Sequence, residues 1–159
     1  MEASFPDPLE AALQSGSPSA VLEAAMRQFG CQAGTVHLVR DGMLKLVAHH
    51  NIPPHIIQIV DSVPIGKGIA GLAAERREPV SLCNLQEDSS GQARPGAKAT
   101  GMEGSLAVPM LAGDQLRGVL GIAKASAHDW TDSEKDELLR IAAELARRSE
   151  NAPPPEADQ

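Results

Sequence analysis

The chain has 159 residues, a formal net charge of −7 and 2% aromatic side chains: two Phe, one Trp and no Tyr. That length fits one domain and buries a sizeable core without disulfides or metals. Acidity and the shortage of stacking surfaces exclude a basic, base-stacking nucleic-acid module, so no nucleic-acid partner is expected. Cys31 and Cys83 lack CxxC spacing and read as small core residues of a reducing compartment. The opening Met1-Glu2-Ala3-Ser4-Phe5-Pro6-Asp7-Pro8 has neither the basic start nor the apolar run of a signal peptide. No apolar stretch approaches membrane-spanning length, so the expectation is a cytoplasmic protein with no membrane partner.

Leu9, Ala12 and Leu13 predict a short helix in an N-terminal extension, residues 1–16. Ser17 then caps a helix with Pro18 in its first turn, and Val21, Leu22, Ala25, Met26 and Phe29 recur at helical spacing before Gly30 stops it. Strands at 35–39 and 44–49 flank Asp41-Gly42, a strong hairpin signal. Pro53-Pro54 ends the second strand, and 55–60 reads as a short helix with Ile56, Ile57 and Val60 on one side. Residues 69–77 form another short helix, stopped before Pro79, and 79–85 a third strand.

A polar loop of eighteen residues, Gln86 to Glu103, separates that strand from the next and is too long for an ordinary connection. Strands at 105–111 and 116–124 then form a second hairpin. Thr131-Asp132-Ser133-Glu134 is a capping-box sequence opening the last helix. Leu138, Ile141, Ala142 and Leu145 make one apolar stripe on it, and Leu139, Ala143 and Ala146 an adjacent one. A second stripe predicts a contact beyond the helix's own sheet. Residues 150–159, with Pro153-Pro154-Pro155, read as a disordered tail after a single domain at 17–149. Two hairpins among helices define an α+β fold around a largely antiparallel sheet.

Gly66-Lys67-Gly68-Ile69-Ala70-Gly71 is a literal G-x-G-x-x-G. A dinucleotide fold needs a buried strand before that motif and a long crossover helix after it. Pro64 on the approach and Pro79 soon after the motif provide neither, so the glycines are read as serving a tight turn and close helix packing.

The run Val63-Pro64-Ile65-Gly66-Lys67-Gly68-Ile69-Ala70-Gly71, followed by Glu78-Pro79-Val80, resembles the central signature of GAF domains. Ser105-Leu106-Ala107-Val108-Pro109-Met110, Gly118-Val119-Leu120-Gly121-Ile122-Ala123 and Trp130-Thr131-Asp132-Ser133-Glu134 extend the resemblance over about residues 17–148. The resemblance implies a profilin-like six-stranded antiparallel sheet, where the residues alone give five strands. It places the terminal helices on one face, with a small-molecule pocket on the other under short helices and the 86–104 loop as a lid. It also implies a homodimer through the terminal helices, with Leu9, Leu13, Leu138, Ile141 and Leu145 as candidate interface residues.

By position, Ile69, Asn84, Met102, Glu103 and Ser105 are the pocket candidates, with Arg94 and Lys98 as cations on the lid. The cyclic-nucleotide branch of the family is matched only in part, at Lys124, Trp130 and Glu134; a Lys124–Glu134 ion pair at the last helix's start is the structural expectation. Neither cysteine has the His neighbour of the bilin-binding branch. The free methionine sulfoxide reductases of the family use several cysteines around pocket and lid, and this loop has none. His49 and His50 point to opposite faces of a strand. With His37 across the hairpin, and Cys83 nearby, they make too thin a set for a metal.

The expectation is therefore a small-molecule sensor or signalling domain, homodimeric and working through a separate output protein, since GAF-like sequence fills these 159 residues. The ligand is unidentified, and no catalytic residue, metal or cofactor is assigned. The alternatives are a thiol-dependent reductase using Cys83, and a ligand-free dimerisation module.

Overall fold

The structure is a computed structural model and describes residues 7–84, 86 and 101–150, with side chains through residue 148. The start of the N-terminal extension, the Pro-rich tail from residue 151, and Arg94 and Lys98 with most of the expected lid lie outside the described residues. In chain order the elements are α1 (Asp7–Ser15), α2 (Pro18–Phe29), β1 (Ala33–Arg40), β2 (Met43–His50), α3 (Pro54–Val60) and β3 (Ser62–Pro64). Then follow α4 (Gly68–Arg76), β4 (Val80–Leu82), β5 (Gly104–Ala112), β6 (Gln115–Lys124) and α5 (Asp132–Glu150).

The six strands form one antiparallel sheet in the order β3-β2-β1-β6-β5-β4. The sixth strand, missed by reading the residues alone, is β3. Three residues are too short to show alternation, and Pro64 is tolerated there because β3 is an edge. Pro109 lies beyond the stretch of β5 that pairs with β4, where the strand has one neighbour only.

Local chemistry fixes the boundaries. Ser17 accepts a hydrogen bond from the Ala20 amide at 3.2 Å, and Gly30 ends α2 at φ 68°. Asp41 and Gly42 both have positive φ, 54° and 76°, as the tight two-residue hairpin requires. The Glu134 amide donates to Thr131 Oγ1 at 3.1 Å while the Thr131 amide donates back to Glu134 Oε1 at 2.9 Å, so the capping box is formed in full.

Two register shifts decide which side chains face which way. One, at Val36/His37, puts His37 opposite Leu46, while Thr35 faces His49 and Gly34 faces His50. The expected meeting of His37 with His49 or His50 is thereby overturned: the extra residue on β2 slides the histidines out of register. The shift also lets Leu44 and Ala48 serve opposite faces of the sheet despite their even spacing. A second shift, at Met110/Leu111, does the same for Leu116 and Leu120.

On one face α1, α2 and α5 pack against the sheet around Leu9, Leu13, Val21, Leu22, Leu106, Met110, Leu120, Leu138, Ile141 and Leu145. On the other, α3 and α4 cover a smaller cluster that includes Leu44, Val63, Ile69, Ala73, Val80 and Val119.

Candidate ligand-binding cavity

Between the sheet and the α3–α4 layer lies a cavity of about 150 Å³. Its origin is the choice of side chains on one side of three strands. β5 turns Leu106, Val108 and Met110 toward the terminal helices, but Ser105 and Ala107 toward the cavity. β6 likewise gives Leu120 to the helices and Gly121 and Ala123 to the cavity, and β1 adds Ala33, Thr35 and His37. Small residues beneath a layer of helices leave space that close packing removes elsewhere. Ile52, Ile56, Ile59 and Val60 of the α3 region, Val63, and Lys67 to Ala70 at the start of α4 complete the wall with Met102. Ile59, at 49% exposure, is one of only two large apolar side chains exposed among the described residues.

The wall is apolar apart from Thr35, His37, Lys67 and Ser105, and no acidic side chain lines it among the described residues. His37 is 2% exposed. Its Nε2 lies 2.8 Å from the Val60 carbonyl oxygen, to which it donates, fixing the tautomer with the proton on Nε2. Nδ1 is then an acceptor, and it is buried with no hydrogen-bond partner. Burial pushes the His37 pKa below the ordinary histidine value, against the opposing pull of the Val60 carbonyl and the Asp61 carboxylate. The ring is neutral at physiological pH.

The glycine motif forms the corner of this wall. The Gly66 amide donates to the Gly71 carbonyl oxygen at 2.8 Å, and Gly66 has φ 98°. A Cβ on Gly71 would stand 2.5 Å from the Pro64 carbonyl oxygen, so only glycine allows α4 to approach the turn so closely. β3, before the motif, is a three-residue antiparallel edge strand and α4, after it, has nine residues. The motif therefore makes a turn and a close packing contact. No side chain caps α4: its N-cap residue is Lys67.

Of the sequence-predicted pocket residues, Ile69, Met102 and Ser105 line the cavity; Asn84 and Glu103 do not. Asn84 instead accepts from the Gln86 amide at 2.9 Å, and the Glu103 amide donates to the Lys124 carbonyl oxygen at 2.8 Å. Thr35, His37 and Lys67 were not chosen. His37 was weighed only as a metal ligand, because the register shift beside it hides its facing from the alternation of the strand. No cluster of three or more metal-ligating side chains exists among the described residues.

The five residues expected at a dimer interface, Leu9, Leu13, Leu138, Ile141 and Leu145, lie in the domain's own core at 0–1% exposure. On the second stripe of α5, Ala146 is buried, Leu139 half-buried and Ala143 exposed. The expected Lys124–Glu134 ion pair does not form: Glu134 is held by His128 Nε2 at 2.9 Å and by Thr131, while Lys124 Nζ lies 5.7 Å from the centre of the Trp130 ring. Neither cysteine lines the cavity. Cys31 is half-buried against the core, and burial pushes its pKa up to about 12, with smaller effects from Lys124 and Glu134. Cys83, expected in the core, is exposed, because β4 ends at Leu82 just before it.

An antiparallel six-stranded sheet with terminal helices on one face and a small-molecule-sized cavity on the other defines an α+β domain built around a cavity. The family model for the GAF domain matches residues 19–148, and the chain belongs to the GAF domain family. Its fold is similar to that of the GAF domain of a phosphoenolpyruvate-protein phosphotransferase from Coxiella burnetii, at 21% identity and a TM-score of 0.76 over 92% of each chain. It is also similar to free methionine-R-sulfoxide reductase from Neisseria meningitidis, at 14% identity and a TM-score of 0.73 over 94% of each chain. A domain of a two-component sensor histidine kinase protein from Sinorhizobium meliloti matches at 18% identity and a TM-score of 0.66, over 91% of this chain and 93% of that one. Among curated proteins nothing matches. The family is one of sensing and signalling domains, and reductases share its fold. No described helix is long and apolar enough to cross a membrane.

Proposed function

We propose that the chain is a sensor domain that binds a small molecule in the cavity between the sheet and α3–α4. In this reading it signals as a cytoplasmic homodimer to a separate output protein. The observation that carries the reading is the cavity wall itself, where small residues hold space open beneath α3 and α4 around a few polar groups. A mostly apolar concavity with few convergent polar groups is the usual form of a small-molecule site. Binding is favoured over thiol chemistry because neither cysteine lines the cavity and burial keeps the Cys31 thiol protonated. A dimer through the terminal helices has the outer side of α5, with Ala143 exposed and Leu139 half-buried, since the inner stripe already packs on the sheet.

Native mass spectrometry of protein purified from its own host tests both parts. A retained small molecule and a dimeric mass are expected. A chain that stays monomeric at high concentration ends the dimer reading, and methionine sulfoxide turnover lost on Cys83→Ser would replace the sensor with the reductase.

A further inference from the structure

The chemistry of the cavity wall narrows the ligand, on the reading that the cavity is a binding site. Two features stand on it independently. The first is the start of α4. Its first-turn residues Gly68, Ile69 and Ala70 line the cavity, and their amides have no hydrogen-bond partner among the described residues. Free first-turn amides and the helix dipole favour a negative group there. The Lys67 side chain, exposed at the same corner, adds a cation. The second is His37, a wall residue only 2% exposed, whose unpartnered Nδ1 is an acceptor because Nε2 carries the proton. A buried acceptor without a partner calls for a donor.

What the described wall lacks is equally selective. Among the described residues no Asp or Glu lines the cavity, so the described wall offers an ammonium group no counter-charge against its desolvation cost. The rest of the described wall is apolar, with Ile52, Ile56, Val63, Ile69 and Ile122 among its larger side chains. An apolar cavity of this volume takes a guest of about six to nine heavy atoms, on the scale set by benzene-sized guests.

We propose that the cavity selects a small monocarboxylate with an apolar body and a hydroxyl group, and rejects the corresponding amino acid. The carboxylate sits at the α4 amides and Lys67, the body fills the apolar centre, and the hydroxyl donates to His37 Nδ1.

Three compounds with one carbon skeleton test this on the full chain: 2-hydroxy-4-methylpentanoate, leucine and 2-hydroxy-4-methylpentanamide, titrated by calorimetry and by amide chemical-shift mapping. The hydroxy acid is expected to bind at least about tenfold more tightly than either of the others, as loss of a charge-assisted bond or an uncompensated ammonium implies. Shifts are expected at Gly68, Ile69 and Ala70. Lys67→Gln is expected to weaken the hydroxy acid about fivefold and leave the amide unchanged. If the amide binds as well as the acid, the carboxylate assignment falls while the cavity remains a binding site. If leucine binds as well, the exclusion of an ammonium falls. Absence of binding by all three removes this proposal, whereas a different molecule retained from the host still upholds the sensor reading.

Discussion

The strands of this domain carry different residues to their two faces, and the two faces have become different kinds of interior. Toward α1, α2 and α5 they send Val36, Leu106, Val108, Met110 and Leu120, all at 0% exposure, and the helices answer with Leu13, Leu22, Leu138, Ile141 and Leu145. Toward α3 and α4 they send Ala33, Thr35, His37, Ser105, Ala107, Gly121 and Ala123. Burial of branched aliphatic side chains is the main source of stability in a chain with so few aromatics, so the terminal-helix face holds the fold together. The cavity face gives up packing for space. A sensor needs both, since a site that changes with occupancy has to rest on a frame that does not.

Equal truncations on the two faces measure that difference. Leu145→Ala removes a side chain at 0% exposure from the closed core and is expected to cost about 3–5 kcal/mol. In a chain of this size that lowers the thermal midpoint by roughly 10 °C. Ile69→Ala, at 8% exposure on the cavity wall, is expected to cost about 2 kcal/mol, at the low end for such a change, because its neighbours already border open space. Urea unfolding of both variants compares them directly. Equal losses would show that the cavity face is packed as tightly as the other and that the distinction is wrong.

The terminal-helix face was the more legible of the two in the sequence, for a physical reason. Stripes such as Leu138, Ile141, Ala142 and Leu145, and punctuation such as Ser17-Pro18, Gly30 and Thr131-x-x-Glu134, are local patterns that tertiary packing reinforced. On the cavity face local pattern and outcome part company. The register shift at Val36/His37 cannot be read from alternation, and it decided where the histidines stand. Ile69, Met102 and Ser105, chosen by position, line the cavity; Thr35 and Lys67 line it too but were not chosen, because a hydroxyl on a strand and a lysine in a turn carry no signal of their own. Asn84 and Glu103 were chosen for nearness in sequence to the loop, and their hydrogen bonds turned out to secure backbone there.

A third test uses pH to separate the faces. His37 has its pKa lowered by burial, so the folded state favours the neutral ring. The sign follows from linkage: the contribution is complete above the ordinary histidine value and is lost as pH falls from there through the depressed folded value, because the unfolded chain takes up the proton first. Stability is therefore expected to fall as pH drops below the ordinary histidine value of about 6.5, with a slope of up to about 1.4 kcal/mol per unit from this one group. His37→Gln is expected to flatten that slope in urea midpoints measured across the range. A slope that survives the substitution would place the titrating group elsewhere.

The smallest effect belongs to the start of α5 and lies in a different pH window. Thr131→Ala removes one half of the capping box and is expected to cost about 1 kcal/mol. The other half carries a charge. Burial pulls the Glu134 pKa upward, but the Thr131 amide and His128 outweigh it and hold the carboxyl below its ordinary value. With the folded value depressed, the contribution is present above the ordinary glutamate range and is lost as pH falls through the folded value. Glu134→Gln keeps an acceptor for the Thr131 amide and removes the titration, so the variant should lose less stability than the unmodified chain on acidification below about pH 4. Thus the cavity face loses stability below the ordinary histidine value through a ring that burial keeps neutral, and the terminal-helix face in stronger acid through a carboxylate that hydrogen bonds keep charged. A double variant, His37→Gln with Glu134→Gln, is expected to lose both slopes additively, since the two groups belong to opposite layers of the sheet. Non-additive slopes would mean that the two faces are coupled through the strands between them.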